Sequence, residues 1–103
     1  MLRKHNTQST GSAFSAATIE AVWQKALIVP GYSKYRKDVC GAWIHRDQYG
    51  NTNSGFGWEI DHKTPVALLG SDHIDNLQPL QWENNRHKGD QPRDRWSCKV
   101  SSA

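Results

Sequence analysis

A chain of 103 residues has room for one domain rather than two, and with only 36% apolar residues its core must be small, leaning on five Trp, three Tyr and two Phe. Thirteen Lys and Arg against ten Asp and Glu, with a pI near 9.0, permit a nucleic-acid partner without demanding one. No apolar run approaches membrane length and the N-terminus lacks a signal-peptide core, so a membrane partner is excluded and the expectation is a soluble, cytoplasmic protein, with export by an unsignalled route left open.

Residues 1–13 are polar and aperiodic and predict a flexible tail, with contact of Arg3, Lys4 and His5 to a polyanion as the alternative. The pattern changes at Phe14. Ser15 is a good N-cap, with Phe14 before it and Ile19 inside forming a hydrophobic staple. Ile19, Val22, Trp23, Ala26 and Leu27 recur at helical spacing, so the spacing predicts an amphipathic helix that Val29-Pro30-Gly31 stops. Residues 32–37 interleave Tyr32 and Tyr35 with Lys34, Arg36 and Lys37. Such a stretch is either a loop with its rings on the core or a groove for a nucleic-acid backbone, with Arg36 and Lys37 as the phosphate contacts.

Residues 39–44 have strand character, Gln48-Tyr49-Gly50-Asn51 signals a turn, and the Gly/Asn/Ser-rich residues 51–57 predict a mobile connector. Cys40 and Cys98 lie far apart and neither belongs to a Cys-x-x-Cys pair, which excludes a zinc ribbon. They read as buried free thiols, with pairing open. A strand follows from Trp58 through Ile60 to Asp61-His62, then a long loop through Gly70-Ser71-Asp72, then a second apolar run at residues 77–80 suited to antiparallel pairing. Residues 82–88 contain no Gly or Pro and predict a short helix, which completes a ββα unit. Charged residues around Trp96 close the chain, with Trp96 as the group to dock back onto the domain.

The polar residues of this unit carry chemistry. Asp61 offers hard oxygen ligands suited to Mg²⁺ or a similar ion, and the neighbouring His62 can take a proton from water near neutral pH. Phosphodiester hydrolysis needs both a cation to neutralise phosphate charge and a base to generate the nucleophile. Asn85 is the candidate second ligand through its side-chain oxygen. Lys88, three residues on, shares its helix face and reads as a phosphate contact, as does Arg86. His87 points roughly 200° away from Asn85 and is left out of the ion site. Asn76, at the end of the long loop, can donate and accept across it and so hold His62 in register.

Asp61-His62, Pro65, Gly70-Ser71-Asp72, Asn76-Leu77-Gln78-Pro79-Leu80 and Asn85-Arg86-His87-Lys88-Gly89 together resemble the HNH endonuclease family in its HNN form. Asn76 lies fourteen residues beyond His62 and Asn85 nine beyond Asn76, which makes the match specific over residues 58–89. The resemblance implies a ββα-metal core, one divalent cation on Asp61 and Asn85, His62 as general base and Asn76 as the loop-fixing residue. Many members carry a zinc-binding Cys-x-x-Cys in the region of Val39-Cys40-Gly41. Here Trp43, Gln81 and Asn84 occupy the places of the other cysteines, so no structural zinc is expected, and Trp43, Trp58 and Trp82 are the candidates to replace it by aromatic packing.

The expectation is therefore an α+β single domain over residues 14–103, a ββα-metal core with an added N-terminal helix. Its expected activity is metal-dependent cleavage of DNA, with RNA left open. Mg²⁺ is the first candidate ion, with Mn²⁺, Ni²⁺ or Zn²⁺ as alternatives, and a monomer is the default. The competing reading is a nucleic-acid-binding module that keeps the ββα-metal fold without turnover.

Overall fold

The computed structural model describes residues 3–92 and 94–102. Helix α1 spans Ala16–Trp23, and Ser15 caps it by accepting from the Thr18 amide at 3.1 Å. The helix ends one turn earlier than its apolar spacing predicts. Ala26 still packs inside, but Leu27 and Ile28 pair as strand β1 with the next segment, and Leu27 is exposed. Backbone pairing with a neighbouring strand satisfies the same peptide groups that another helical turn would, so tertiary context overrides the periodicity.

Strands β2 (Tyr35–Lys37) and β3 (Trp43–His45) complete a three-stranded antiparallel sheet in the order β1-β2-β3. Tyr35–Lys37 is thus the central strand of a sheet rather than a loop, and within residues 39–44 only Trp43 and Ile44 are extended. Ile44 points to the core, fully buried, whereas its neighbours Trp43 and His45 lie across from Lys37 and Tyr35 on the outer face.

The second sheet holds the chemistry. Strand β4 (Trp58–His62) runs antiparallel to β5 (Leu77–Gln81), with His62 opposite Leu77 and Asp61 opposite Gln78. Helix α2 (Trp82–Lys88) follows at once, its start capped by the Gln81 side chain accepting from Glu83 and Asn84 amides. This is the ββα unit and the α+β class that the residue patterns predict. Trp58, Ile60 and Leu77 pack with Phe14, Val22, Trp23, Ala26 and Ile44 into one core, where the Trp23 and Trp58 rings lie 5.3 Å apart. Each of these large side chains contributes roughly 1.5–3 kcal/mol by leaving water. Alternation puts Glu59 and Asp61 on the other face of β4, yet every β4 residue is buried. Buried carboxylates require partners, and α2 supplies them.

The free-thiol expectation fails. Cys40 and Cys98 form a disulfide with Cα atoms 5.8 Å apart, closing 58 residues. That loop removes about 4 kcal/mol of entropy from the unfolded chain. The two thiols are therefore not free. Beside the disulfide, Asp38 accepts from the Gln81 amide at 2.9 Å and the Asn84 side chain at 3.1 Å, and Asn84 in turn accepts from the amides of Lys99 and Val100. A covalent link and this hydrogen-bonded cluster, rather than ring contacts among Trp43, Trp58 and Trp82, join the β2–β3 turn, the start of α2 and the C-terminal segment. The return of that segment runs through Cys98, Val100 and Ser102.

Asn6 and Ser9, in the segment expected to be a flexible tail, are likewise tied down. Asn6 Oδ1 accepts from the Ile60 amide at 2.7 Å and from the Tyr49 hydroxyl at 2.9 Å, and Ser9 donates to Asp72 through both its amide and its hydroxyl. In the connector of residues 51–57, Asn51 accepts from the Asn53 amide and Ser54 accepts from the Trp82 indole, so it too is bonded in place.

Candidate metal and hydrolytic site

The end of β4 and the middle of α2 meet in an open cleft of about 220 Å³, lined by Asp61, His62 and Asn85 together with Arg3, Lys4, His5 and Asn6. Residues separated by the long loop and strand β5 therefore share one space.

Asp61 is 5% exposed, and burial pushes its carboxyl above the usual carboxylate range despite opposing help from Gln78 and Lys88. Gln78, its cross-strand partner, donates to Oδ2 at 2.9 Å, and the Lys88 ammonium lies 3.2 Å from Oδ1. Lys88 is fully buried and also donates to the His62 carbonyl at 3.0 Å. The expectation of a phosphate contact at Lys88 does not hold. Its charge is spent on Asp61 and on the end of β4, so it fixes the strand carrying Asp61 and His62.

His62 leaves the opposite face of the strand. Its ring lies 6.0 Å from Phe14, and Nε2 is 2.7 Å from Asp72 Oδ1. Burial alone would raise the Asp72 carboxyl. The hydrogen bonds from Ser9 and His62, with the nearby imidazole, outweigh it and hold Asp72 below the usual range. An ionised carboxylate can only accept, so Nε2 is the donor of this bond, and in the neutral ring that leaves Nδ1 as the acceptor.

Asp72 reaches His62 because the long loop is closed upon itself. The Asn76 amide donates to the carbonyls of Thr64 and Ser71 at 3.0 and 2.8 Å and accepts from the Thr64 amide at 2.8 Å. Asn76 is 9% exposed, and its own carbonyl accepts from Lys63 at 2.7 Å. Gly70 completes the closure, since a Cβ there would lie 1.6 Å from the Thr64 carbonyl oxygen.

Asn85 is buried, and its Nδ2 donates to Glu59 Oε1 at 2.9 Å, which orients the amide and leaves the oxygen for the cleft. Glu59, 3% exposed, is paired with Arg86 at 3.1 Å. Arg86 keeps a half-exposed guanidinium but does not line the cleft. Nor do Arg36 and Lys37. Arg36 donates to the Trp23 carbonyl at 3.3 Å, and the Lys37 ammonium sits 4.7 Å over the Trp43 ring. His87 is exposed, away from Asp61 and Asn85, as its helical angle predicts.

Residue patterns miss Asp72 and Asn6, and they favour Arg36, Lys37, Arg86 and Lys88 over the Arg3 and Lys4 that line the cleft. Asp72 stands out only as part of a Gly-Ser-Asp loop, a pattern equally suited to a solvated turn. Nothing local marks Asn6 as a backbone clamp or brings Arg3 and Lys4 to the cleft, because those contacts span more than fifty residues of chain.

For a hard divalent ion, the donor set fits by chemistry. Asp61 and Asn85 offer oxygen, each carboxylate oxygen has lone pairs beyond its present bond, and Mg²⁺ commonly takes one or two protein carboxylates and keeps its waters. Among the described residues no group of three or more His, Cys, Asp and Glu side chains gathers as a ligand set, so this would be a sparse site of that kind. No protein-family model, curated protein sequence or solved structure matches this chain.

Proposed function

We propose that this protein is a metal-dependent endonuclease that hydrolyses phosphodiester bonds in DNA. The observation that carries the reading is the convergence of Asp61, His62 and Asn85 on one cleft, with His62 held by an ionised Asp72. In this reading His62 Nδ1 accepts a proton from the attacking water, while Asp72 keeps the ring in place as positive charge develops on it. Asn76 keeps the loop closed so that Asp72 stays within reach, and Lys88 holds the strand end. Asp61 and Asn85 would hold one divalent cation, Mg²⁺ first, which when bound supplies positive charge against the phosphate and the departing 3′ oxygen. Arg3 and Lys4 are the cations near enough to receive the strand, replacing Arg36, Lys37, Arg86 and Lys88 in that role at the cleft.

The Lys88–Asp61 ion pair at 3.2 Å favours a second reading, because an ammonium already neutralises the carboxylate. The domain would then bind nucleic acid without cutting it. Plasmid cleavage across Mg²⁺, Mn²⁺, Ni²⁺ and Zn²⁺, with His62→Ala alongside, decides between them. The nuclease reading expects cation-dependent nicking that His62→Ala abolishes while DNA binding persists. Nicking by His62→Ala at the wild-type rate, or none with any ion, would overturn it.

No helix among the described residues is long and apolar enough to cross a membrane. The Cys40–Cys98 bond supports an oxidising setting for the folded domain, against the cytoplasmic expectation that rested on the missing signal-peptide core and membrane-length run.

A further inference from the structure

We propose that the outer face of the β1-β2-β3 sheet is a second nucleic-acid site, a stacking platform for unpaired bases. It deepens the nuclease reading by naming the form of strand engaged, and rests on it only for the polymer's identity.

Tyr32, Tyr35, Trp43 and Phe56 line one shallow recess that shares no residue with the Asp61–His62 cleft. Tyr35 is its hub. Its ring meets Phe56 edge-on at 5.4 Å and His45 at 4.6 Å, while Tyr32 lies 5.3 Å from Trp43. Strand alternation explains the clustering, since Tyr35 and Lys37 on β2 face His45 and Trp43 on β3 across the ladder. Phe56 is set in place by its backbone, its carbonyl accepting from the His45 amide at 3.0 Å and its amide donating to Ser54 Oγ at 3.1 Å. Yet Tyr32 is 55% exposed and Phe56 44%. Large rings held rigidly and left in water are what a stacking ligand would cover.

Charge decides which ligand. Lys37 holds its ammonium 4.7 Å over Trp43, and the neighbouring Lys34 keeps an exposed ammonium paired with the solvated Asp47 at 3.3 Å. A quaternary or methylated ammonium entering the ring cluster would meet like charge from Lys37. A flat ring carrying a phosphate satisfies both features, with the ring on Tyr32 or Phe56 and the anion toward Lys34 and Lys37. Bases within a duplex already have both faces covered by their neighbours. The platform therefore selects single strands, loops or flaps.

The test is fluorescence polarisation in EDTA, where cleavage is silent, comparing labelled oligo-dT with a blunt hairpin duplex. Tyr32→Ala and Phe56→Ala should each weaken oligo-dT binding at least about fivefold and leave the duplex unchanged. Phe56→Leu, which keeps apolar bulk but lacks a π face, should lose as much as Phe56→Ala. Lys37→Gln should lower the salt slope by about one. Oligo-rU bound in place of oligo-dT, with the same losses, identifies RNA as the strand and keeps the stacking assignment. Unchanged oligo-dT affinity in variants with wild-type thermal midpoints overturns it, as does equal loss for duplex. Trimethyl-lysine peptide binding that these variants abolish overturns it in favour of a cation cage. Plasmid nicking by the same variants separates the claims. Nicking with no stacking refutes the platform alone, and stacking with no nicking refutes the nuclease alone.

Discussion

Replacing Lys88 by Met is the sharpest test of how the cleft is built. Lys88 is fully buried, its ammonium is 3.2 Å from Asp61 and it donates to the His62 carbonyl at 3.0 Å. Methionine fills most of the volume but leaves a carboxylate that is 5% exposed without its counter-charge. Removing one partner of a buried ion pair costs about 3–5 kcal/mol, because the remaining charge stays desolvated. A domain of this size loses roughly 4–8 °C of midpoint per kcal/mol, so Lys88→Met should melt more than about 12 °C below wild type. Adding Asp61→Asn removes the stranded charge, and the double variant should recover at least about 1 kcal/mol of the loss. Mg²⁺ should raise the midpoint of Lys88→Met more than that of wild type, since a cation beside Asp61 takes over the ammonium's electrostatic role. Calorimetry with and without Mg²⁺ reads all three. A single variant within about 1 kcal/mol of wild type, or strictly additive losses in the double, would refute the buried-pair account.

Asp72→Asn leaves Nε2 a neutral amide oxygen in place of a charged carboxylate and should slow plasmid nicking roughly a hundredfold by weakening the hold on the imidazole. Half the wild-type rate or more would remove Asp72 from the site. Because the Asp72 carboxyl sits below its ordinary value, its bonds to Ser9 and His62 stabilise the fold above about pH 4. That stabilisation is lost as pH falls through the lower folded value, so acid titration of Asp72→Asn should lack this component. Gly70→Ala cannot be accommodated against Thr64 without moving the loop, and should cost more than about 1 kcal/mol in urea titrations. An unchanged urea midpoint would show that the loop is not closed there. Reducing Cys40–Cys98 should cost about 4 kcal/mol, read as a lower urea midpoint. Equal midpoints with and without reductant would mean the thiols are free in solution.

Elements whose signals are local stand where residue patterns put them. Ser15 caps α1 between Phe14 and Ile19, β4 ends on Asp61-His62, and α2 covers Trp82–Lys88. Asn76 clamps its loop because a buried amide with two donors and an acceptor has that use wherever a loop closes around it. Errors gather where two signals compete for the same peptide groups. Leu27 continues a helical stripe, yet pairing with Lys37 draws it into β1. Tyr35–Lys37 is too short and too charged to announce a strand, and becomes one because β1 and β3 flank it.

What the sequence by itself determined is the order of elements and which side chains share a face, since strand and helix periods are properties of a dozen residues at a time. Asn85 and Lys88 had to lie together, and so had Glu59 and Asp61. The tertiary structure alone decided that these two faces meet, turning Lys88 from a surface cation into Asp61's counter-charge, and it alone brought Asp72 to His62, Asn6 to Ile60 and Cys98 to Cys40. Those contacts join segments from 10 to 58 residues apart. No local pattern encodes them, because their free energy is realised only once the core has closed the intervening chain.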